Sequence, residues 1–161
     1  MGTKNIEELK LEVANLIGVN QELLEENVLP AINVKMKEFL DTFEAFFRER
    51  GFVVRRKNDS VRVSFDILHF RAVFNEKREI LITRGKDQIA LIPVKFQGES
   101  ELKYNFESDS ASQLVTEIGK QQMLSNDLKN PDVYYTGGES GPRFDDPLTI
   151  LNSIFNGLDN V

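Results

Sequence analysis

The chain has 161 residues with 20 Lys and Arg, 26 Asp and Glu, one His and no Cys or Trp, and its formal net charge is −6. The lack of Cys excludes disulfides, Cys-ligated zinc, iron–sulfur clusters and thiol nucleophiles, and a single His excludes sites that need two or three imidazoles. We therefore expect a cytoplasmic protein of one domain without a cofactor or a metal. Catalysis would have to use carboxylate, hydroxyl, Lys or Arg chemistry.

The sequence also argues against a membrane protein. No run approaches the ~18 apolar residues that a membrane span requires. The beginning of the chain reaches charged residues at once, where a secretory leader would be apolar. We expect neither a leader nor membrane binding.

The first predicted element is an amphipathic helix. Ile6, Leu9 and Val13 recur at helical spacing among charged residues, which predicts a helix over 4–17 that ends near Gly18. Its apolar stripe must be covered either by the chain's own core or by a second copy in a homodimer.

The strongest helix signal comes next. Asn20 and Asn27 each predict an N-cap, and Pro30 falls in a first turn, where its missing N–H costs little. Gly51 predicts the C-terminal cap. The face that points to the core is rich in Phe and comprises Val28, Ile32, Met36, Phe39, Leu40, Phe43, Phe46 and Phe47.

From Phe52 the apolar spacing changes to two, which is typical of strands. Asn58-Asp59 predicts the loop of a hairpin over 52–67, whose register sets Arg55 opposite Arg62 and puts Phe65 on the core face. The alternation changes phase at 67–68, and we interpret this as a β-bulge in one long strand.

Further strands are predicted over 79–83 and 88–97, so the sheet is an antiparallel meander of four to five strands. Ser110 and Gln113 form a capping-box pattern before a helix that ends near Leu124. The predicted fold class is α+β, with the long Phe-rich helix on one face of the sheet. The predicted segments are an N-terminal helical part (1–26), an α+β core (27–124), an irregular Gly/Pro/Tyr loop (125–146) and a C-terminal helix (147–158).

Charge is distributed unevenly along the chain. Between Glu44 and Lys86 there are 11 Lys and Arg against 6 Asp and Glu, a net charge of +5, whereas the remainder has 9 against 20, a net charge of −11. Arg55 opposite Arg62 is a repulsive pair, so we expect an anion between them. The candidate residues for binding a partner or an anion are Arg55, Arg56, Lys57, Arg62, Arg84 and Lys86.

Two further features of the sequence bear on function. The Gly-rich stretch 134–143 lacks the spacing of a phosphate-binding loop and predicts a surface loop, in which Tyr134, Tyr135 and Arg143 would contact a partner. His69 has no recognisable nucleophile or orienting group in the sequence.

These observations favour a non-catalytic, macromolecule-binding module, such as an adaptor, an inhibitor or a regulatory protein, that acts by protein–protein contact. One alternative is a nucleic-acid-binding protein that uses the basic hairpin face. Another is a domain that binds a small ligand, or an enzyme of unknown type.

Overall fold

The computed structural model describes residues 5–137 and 141–158, which form an α+β fold with an antiparallel sheet. Residues 1–4 and 138–140, which belong to the predicted N-terminal segment and Gly-rich loop, lie outside the described residues, as do 159–161. The first of two compact units takes the described parts of Met1–Ala31 and Phe96–Asp132. The second takes those of Ile32–Lys95 and Val133–Val161. No helix within the described ranges is long and apolar enough to span a bilayer.

The N-terminal part of the chain is one long helical stretch. It consists of α1 (Ile6–Leu23), a π-helical turn (Leu24–Val28) and α2 (Leu29–Glu49). The predicted end near Gly18 is therefore wrong. The helix continues to Leu23. At its N-terminus, Asn5 is the cap, and its side chain accepts a hydrogen bond from the Glu8 amide.

The predicted caps at Asn20 and Asn27 are also wrong, because tertiary contacts use both side chains. The buried Asn20 amide donates to the Gln121 side chain at 2.8 Å, and that of Asn27 donates to the Leu128 carbonyl at 3.3 Å. Both partners lie on α3 (Ala111–Lys129). Because the Asn20 and Asn27 side chains bond to α3, neither caps a helix start, and the helical stretch continues through both positions.

The first unit is built on the contact between α1 and α3. Leu9, Val13 and Ile17 of α1 form a buried cluster with Leu114 and Ile118 of α3. The chain's own α3 thus covers these three residues of the predicted N-terminal stripe. The capping-box prediction is confirmed at the start of α3, where the Ser110 side chain accepts from the Gln113 amide. A short 3₁₀ turn, Glu99–Glu101, precedes this helix.

Seven strands form the sheet, and each strand lies beside the next one in sequence. The prediction of four to five strands is too low. The reason is that 125–146, which the sequence predicts as irregular, contains the end of α3 and two short strands. The strands are β1 (Val53–Arg56), β2 (Ser60–Phe65), β3 (Leu68–Phe74), β4 (Glu79–Arg84), β5 (Asp87–Phe96), β6 (Val133–Thr136) and β7 (Arg143–Phe144).

A tight turn joins β2 to β3 where the sequence predicts a bulge. Phe65 pairs with Leu68 across Asp66 and Ile67, and Asp66 has a φ of 53°. A left-handed residue is what a two-residue hairpin turn requires, and Asp tolerates it better than most residues. The strand ends at this turn, and Phe65 is 53% exposed rather than part of the core.

Aromatic packing holds α2 against the sheet in the second unit. The Phe47 ring centroid lies 4.9 Å from that of Phe52 and 5.6 Å from that of Phe70 on β3. Phe155, just after α4 (Pro147–Ile154), packs on the same ring at 5.1 Å. The predicted Phe-rich stripe is therefore the core of this unit. Gly51 ends α2 with a φ of 83°, as predicted.

Candidate anion-binding groove

Three arginines form a row across the first three strands. Arg55 on β1 pairs with Arg62 on β2, as the sequence predicts, and Arg62 pairs in turn with Arg71 on β3. Paired positions on neighbouring strands bring Cβ atoms to about 4.5–5.5 Å, on the same face of the sheet. We call Arg55, Arg62 and Arg71 the arginine row. The next position in the row is the uncharged Thr83 on β4.

Two tight turns produce this register. The loop at Asn58-Asp59 sets Arg55 against Arg62, with the Lys57 amide donating to the Ser60 carbonyl at 2.8 Å. The turn at Asp66 and Ile67 then sets Arg62 against Arg71. Sequence reasoning missed Arg71 because a bulge does not return the chain beside β2. The change of apolar phase at 67–68 was the available signal, since a two-residue turn always pairs an odd position with an even one.

The positive charges of the arginine row are not paired with carboxylates among the described residues. None of its three guanidinium groups has a salt bridge or a side-chain hydrogen bond to a residue within 5–137 or 141–158. Arg55 and Arg62 are exposed, whereas Arg71 is half-buried. The Nε atom of Arg71 is buried and lacks a hydrogen-bond partner among the described residues. Buried donors are normally satisfied, so this atom marks a place where a ligand oxygen would fit.

The arginine row lines a groove of about 530 Å³, which we call the arginine groove. Its walls include Val53 and Val63, and the polar side chains of Ser64, His69 and Thr83 also reach it. None of the described residues that line the groove is Asp or Glu. Its chemistry is therefore that of an anion site with an apolar wall.

The other predicted basic residues do not join the row. Arg56 binds the Asp41 carboxylate of α2 at 3.0 Å. Lys57 lies at the β1–β2 turn, whereas Arg84 and Lys86 lie at the β4–β5 turn, which the antiparallel order puts at the opposite end of the sheet. Of the six predicted residues, only Arg55 and Arg62 belong to the arginine row.

The predicted tyrosine contact surface is also divided. Tyr135 is fully buried, and its hydroxyl donates to the Lys35 carbonyl at 2.6 Å, so it belongs to the core and not to a partner surface. Tyr134 is half-buried, with the Arg143 guanidinium 4.5 Å from its ring centroid. Arg143 also binds the Asp145 carboxylate at 3.0 Å.

The described residues contain no group of three or more His, Asp or Glu side chains that could hold a metal ion. His69 lines the arginine groove, opposite Ser64 on β2. The groove offers it no carboxylate to orient its ring among the described lining residues.

Comparison of the chain with known protein families, with curated proteins and with solved structures gives no match. The functional interpretation therefore depends on the arginine groove itself.

Proposed function

We propose that this chain is a non-catalytic, cytoplasmic binding module that acts by protein–protein contact, and that the arginine groove holds an acidic segment of its partner. The observation that carries this proposal is the uncompensated arginine row. Like charges opposed across strands repel each other. A partner carboxylate would relieve this repulsion and form a bidentate, charge-assisted hydrogen bond with a guanidinium group.

The edge of the sheet supports the same proposal. β1 is the first strand in the sheet order, and among the described strands it pairs with β2 alone. An open edge of this kind can accept an extended segment as an added strand. Val53, which is 63% exposed, lies two residues before Arg55 on the same face. An added strand that alternates acidic and apolar side chains would match both residues.

The proposal can be tested by peptide display on the immobilised full chain. We expect the selected peptides to be rich in Asp and Glu. Arg55→Glu combined with Arg62→Glu should weaken their binding by about tenfold or more, because each charged hydrogen bond contributes about 1.5–3 kcal/mol. Lys57→Glu combined with Lys77→Glu is the matched control, because these exposed residues undergo the same change of charge at the end of the strands away from Gly85, which lines the groove. Selection of peptides without acidic enrichment, or equal losses in both double variants, would contradict the proposal.

Nucleic-acid binding is the second candidate, because the arginine row would also attract phosphates. The compactness of the row disfavours nucleic-acid binding, because a nucleic acid backbone presents a line of phosphates. Lys57 and the pair Arg84 and Lys86 lie at opposite ends of the sheet and do not extend the row into such a line. We expect no gel shift of single-stranded DNA or RNA at low salt. A shift that the Arg55→Glu/Arg62→Glu variant abolishes would favour this candidate over the first.

A further inference from the structure

The arginine groove contains one donor that a flat basic surface would not have. The Nε of Arg71 is buried without a partner among the described residues, in a side chain flanked in its row by Arg62 and Thr83. A buried N–H needs an acceptor close to it, at about 2.7–3.2 Å. A ligand that brings an oxygen into the groove beside Arg71 would satisfy this donor, whereas one that sits above the groove would not.

The charge of the row indicates which oxygen-bearing group fits. Arg55, Arg62 and Arg71 bring three positive charges to one side of three neighbouring strands. A carboxylate offers two oxygens and a single negative charge. A phosphorylated side chain offers three acceptor oxygens and about −1.5 to −2 charges at neutral pH, and arginine clusters are the usual way to recognise it.

We propose that the arginine groove is a phosphoryl-binding site and that its ligand is a phosphorylated side chain of the partner segment. This inference rests on the proposed protein-binding function and names the group that is recognised. One phosphoryl oxygen accepts from the Arg71 Nε, and the others face Arg55 and Arg62. The hydroxyl groups of Ser64 and Thr83, which also line the groove, are neutral donors within the same site.

A single phosphoryl group suits this site better than a chain of phosphates does. The charged lining is confined to one row, and its neighbours toward β4 and β5 are Thr83 and Gln88, which are uncharged. The apolar wall at Val53 and Val63 offers a place for the residue next to the phosphorylated one. A phosphorylated, partly apolar peptide satisfies both parts of the groove.

The test follows the Nε–H signals of arginine in NMR spectra of the full chain. The probes are inorganic phosphate at constant ionic strength, a phosphoserine peptide of alternating apolar and polar residues, the same peptide with Glu in place of phosphoserine, and a single-stranded oligonucleotide. We expect phosphate to shift the Arg71 Nε–H signal. The phosphopeptide should bind about tenfold more tightly than the Glu peptide, a difference that corresponds to about 1.4 kcal/mol.

Three variants complete the test. Arg71→Lys keeps the charge but removes the Nε donor and should lower phosphopeptide affinity by about tenfold, whereas Arg84→Lys outside the row should leave it unchanged. Arg62→Lys at an exposed position provides the same comparison if Arg71→Lys does not fold. An unchanged Arg71 signal together with tight binding of the Glu peptide would overturn this inference and leave the proposed function standing. Tighter binding of the oligonucleotide than of either peptide would overturn both.

Discussion

At the scale of single residues, Tyr135 shows how a polar aromatic side chain can belong to the core. Its ring packs edge-on against Phe39 at a centroid distance of 5.6 Å. Its hydroxyl donates to the Lys35 carbonyl at 2.6 Å and lies 3.3 Å from a Glu38 carboxylate oxygen. Burial, and then the charge of Glu38, raise the pKa of Tyr135 above its ordinary value. The hydroxyl therefore remains protonated and acts as a donor that ties β6 to α2.

We expect Tyr135→Phe to lower the free energy of unfolding by about 1 kcal/mol, because the partly buried hydrogen bond to the Lys35 carbonyl is lost. Urea unfolding followed by circular dichroism measures this change. The matched control is Tyr134→Phe at the half-buried neighbour, which should change stability by less than about 0.5 kcal/mol. Equal losses at the two positions would show that the Tyr135 hydroxyl does not stabilise the core.

In the first unit, Glu117 is a second polar side chain that is buried and has hydrogen-bond partners. It is 3% exposed, receives a 3.1 Å hydrogen bond from the Gln121 amide and lies 2.8 Å from the Lys103 ammonium. Burial acts to raise the pKa of Glu117, but the hydrogen bonds from Lys103 and Gln121 and the Lys103 charge outweigh it. The pKa of Glu117 is therefore below its ordinary value of 4.5.

This shift predicts acid sensitivity. Because the pKa of Glu117 is lower in the folded than in the unfolded chain, its stabilising contribution is complete above the unfolded pKa and is lost as pH falls through the folded pKa. Urea midpoints of the wild type should therefore fall toward those of Glu117→Gln between about pH 5 and pH 3. Glu22→Gln, at an exposed position of α1, is the control with the same change of charge. A gap between wild type and Glu117→Gln that is constant over this range would contradict the prediction.

At the scale of elements, the two glycines near α1 and α2 have opposite roles. Gly18 lies inside α1, and a Cβ added there would meet nothing within 4 Å. Gly51 follows α2 with a φ of 83°, a conformation that strains any residue with a Cβ. Identical substitutions should therefore have opposite effects at these two positions.

We expect Gly18→Ala to stabilise the protein by about 0.5–1 kcal/mol, because Ala favours a helix and restricts the unfolded chain. Gly51→Ala should destabilise it by about 1 kcal/mol or more, because the left-handed conformation is costly for Ala. Thermal and urea unfolding of the two variants measure both changes. If Gly18→Ala destabilised the protein, α1 would have to end at Gly18, contrary to the structure.

The β1–β2 and β2–β3 hairpins differ in how strong a turn signal the sequence contains. Asn58-Asp59 is a familiar turn pair, and the predicted register of Arg55 opposite Arg62 is confirmed. Asp66-Ile67 lacks Gly or Asn, so composition alone did not reveal it as a turn. The signal that did indicate this turn was the shift of apolar residues from odd positions such as Val63 to even positions such as Phe70.

At the scale of the whole molecule, net charge is a poor guide to what this protein binds. The chain carries −6, yet the arginine row concentrates positive charge in one groove. At physiological salt the Debye length is about 8 Å, so an anion inside the groove senses the nearby guanidinium groups far more than distant carboxylates. If the proposed binding function is right, the local arrangement of charge and not the net charge decides the ligand class.

Local signals in the sequence were sufficient for much of the fold. The Phe stripe of α2, the cap at Ser110 and the positive φ of Gly51 all follow from interactions within a few residues. The α+β class and the facing pair of Arg55 and Arg62 were predictable for the same reason, since hairpin register depends on a turn of two residues.

Only the tertiary structure decided the rest. Asn20 does not cap a helix, because its side chain donates a hydrogen bond to Gln121, 101 positions away. Tyr135 is buried because Lys35, 100 positions away, supplies its acceptor. Arg71 joins the arginine row because a second turn returns β3 beside β2. Sequence patterns report the preferences of neighbouring residues, whereas burial and long-range pairing decide which of those preferences the folded chain satisfies.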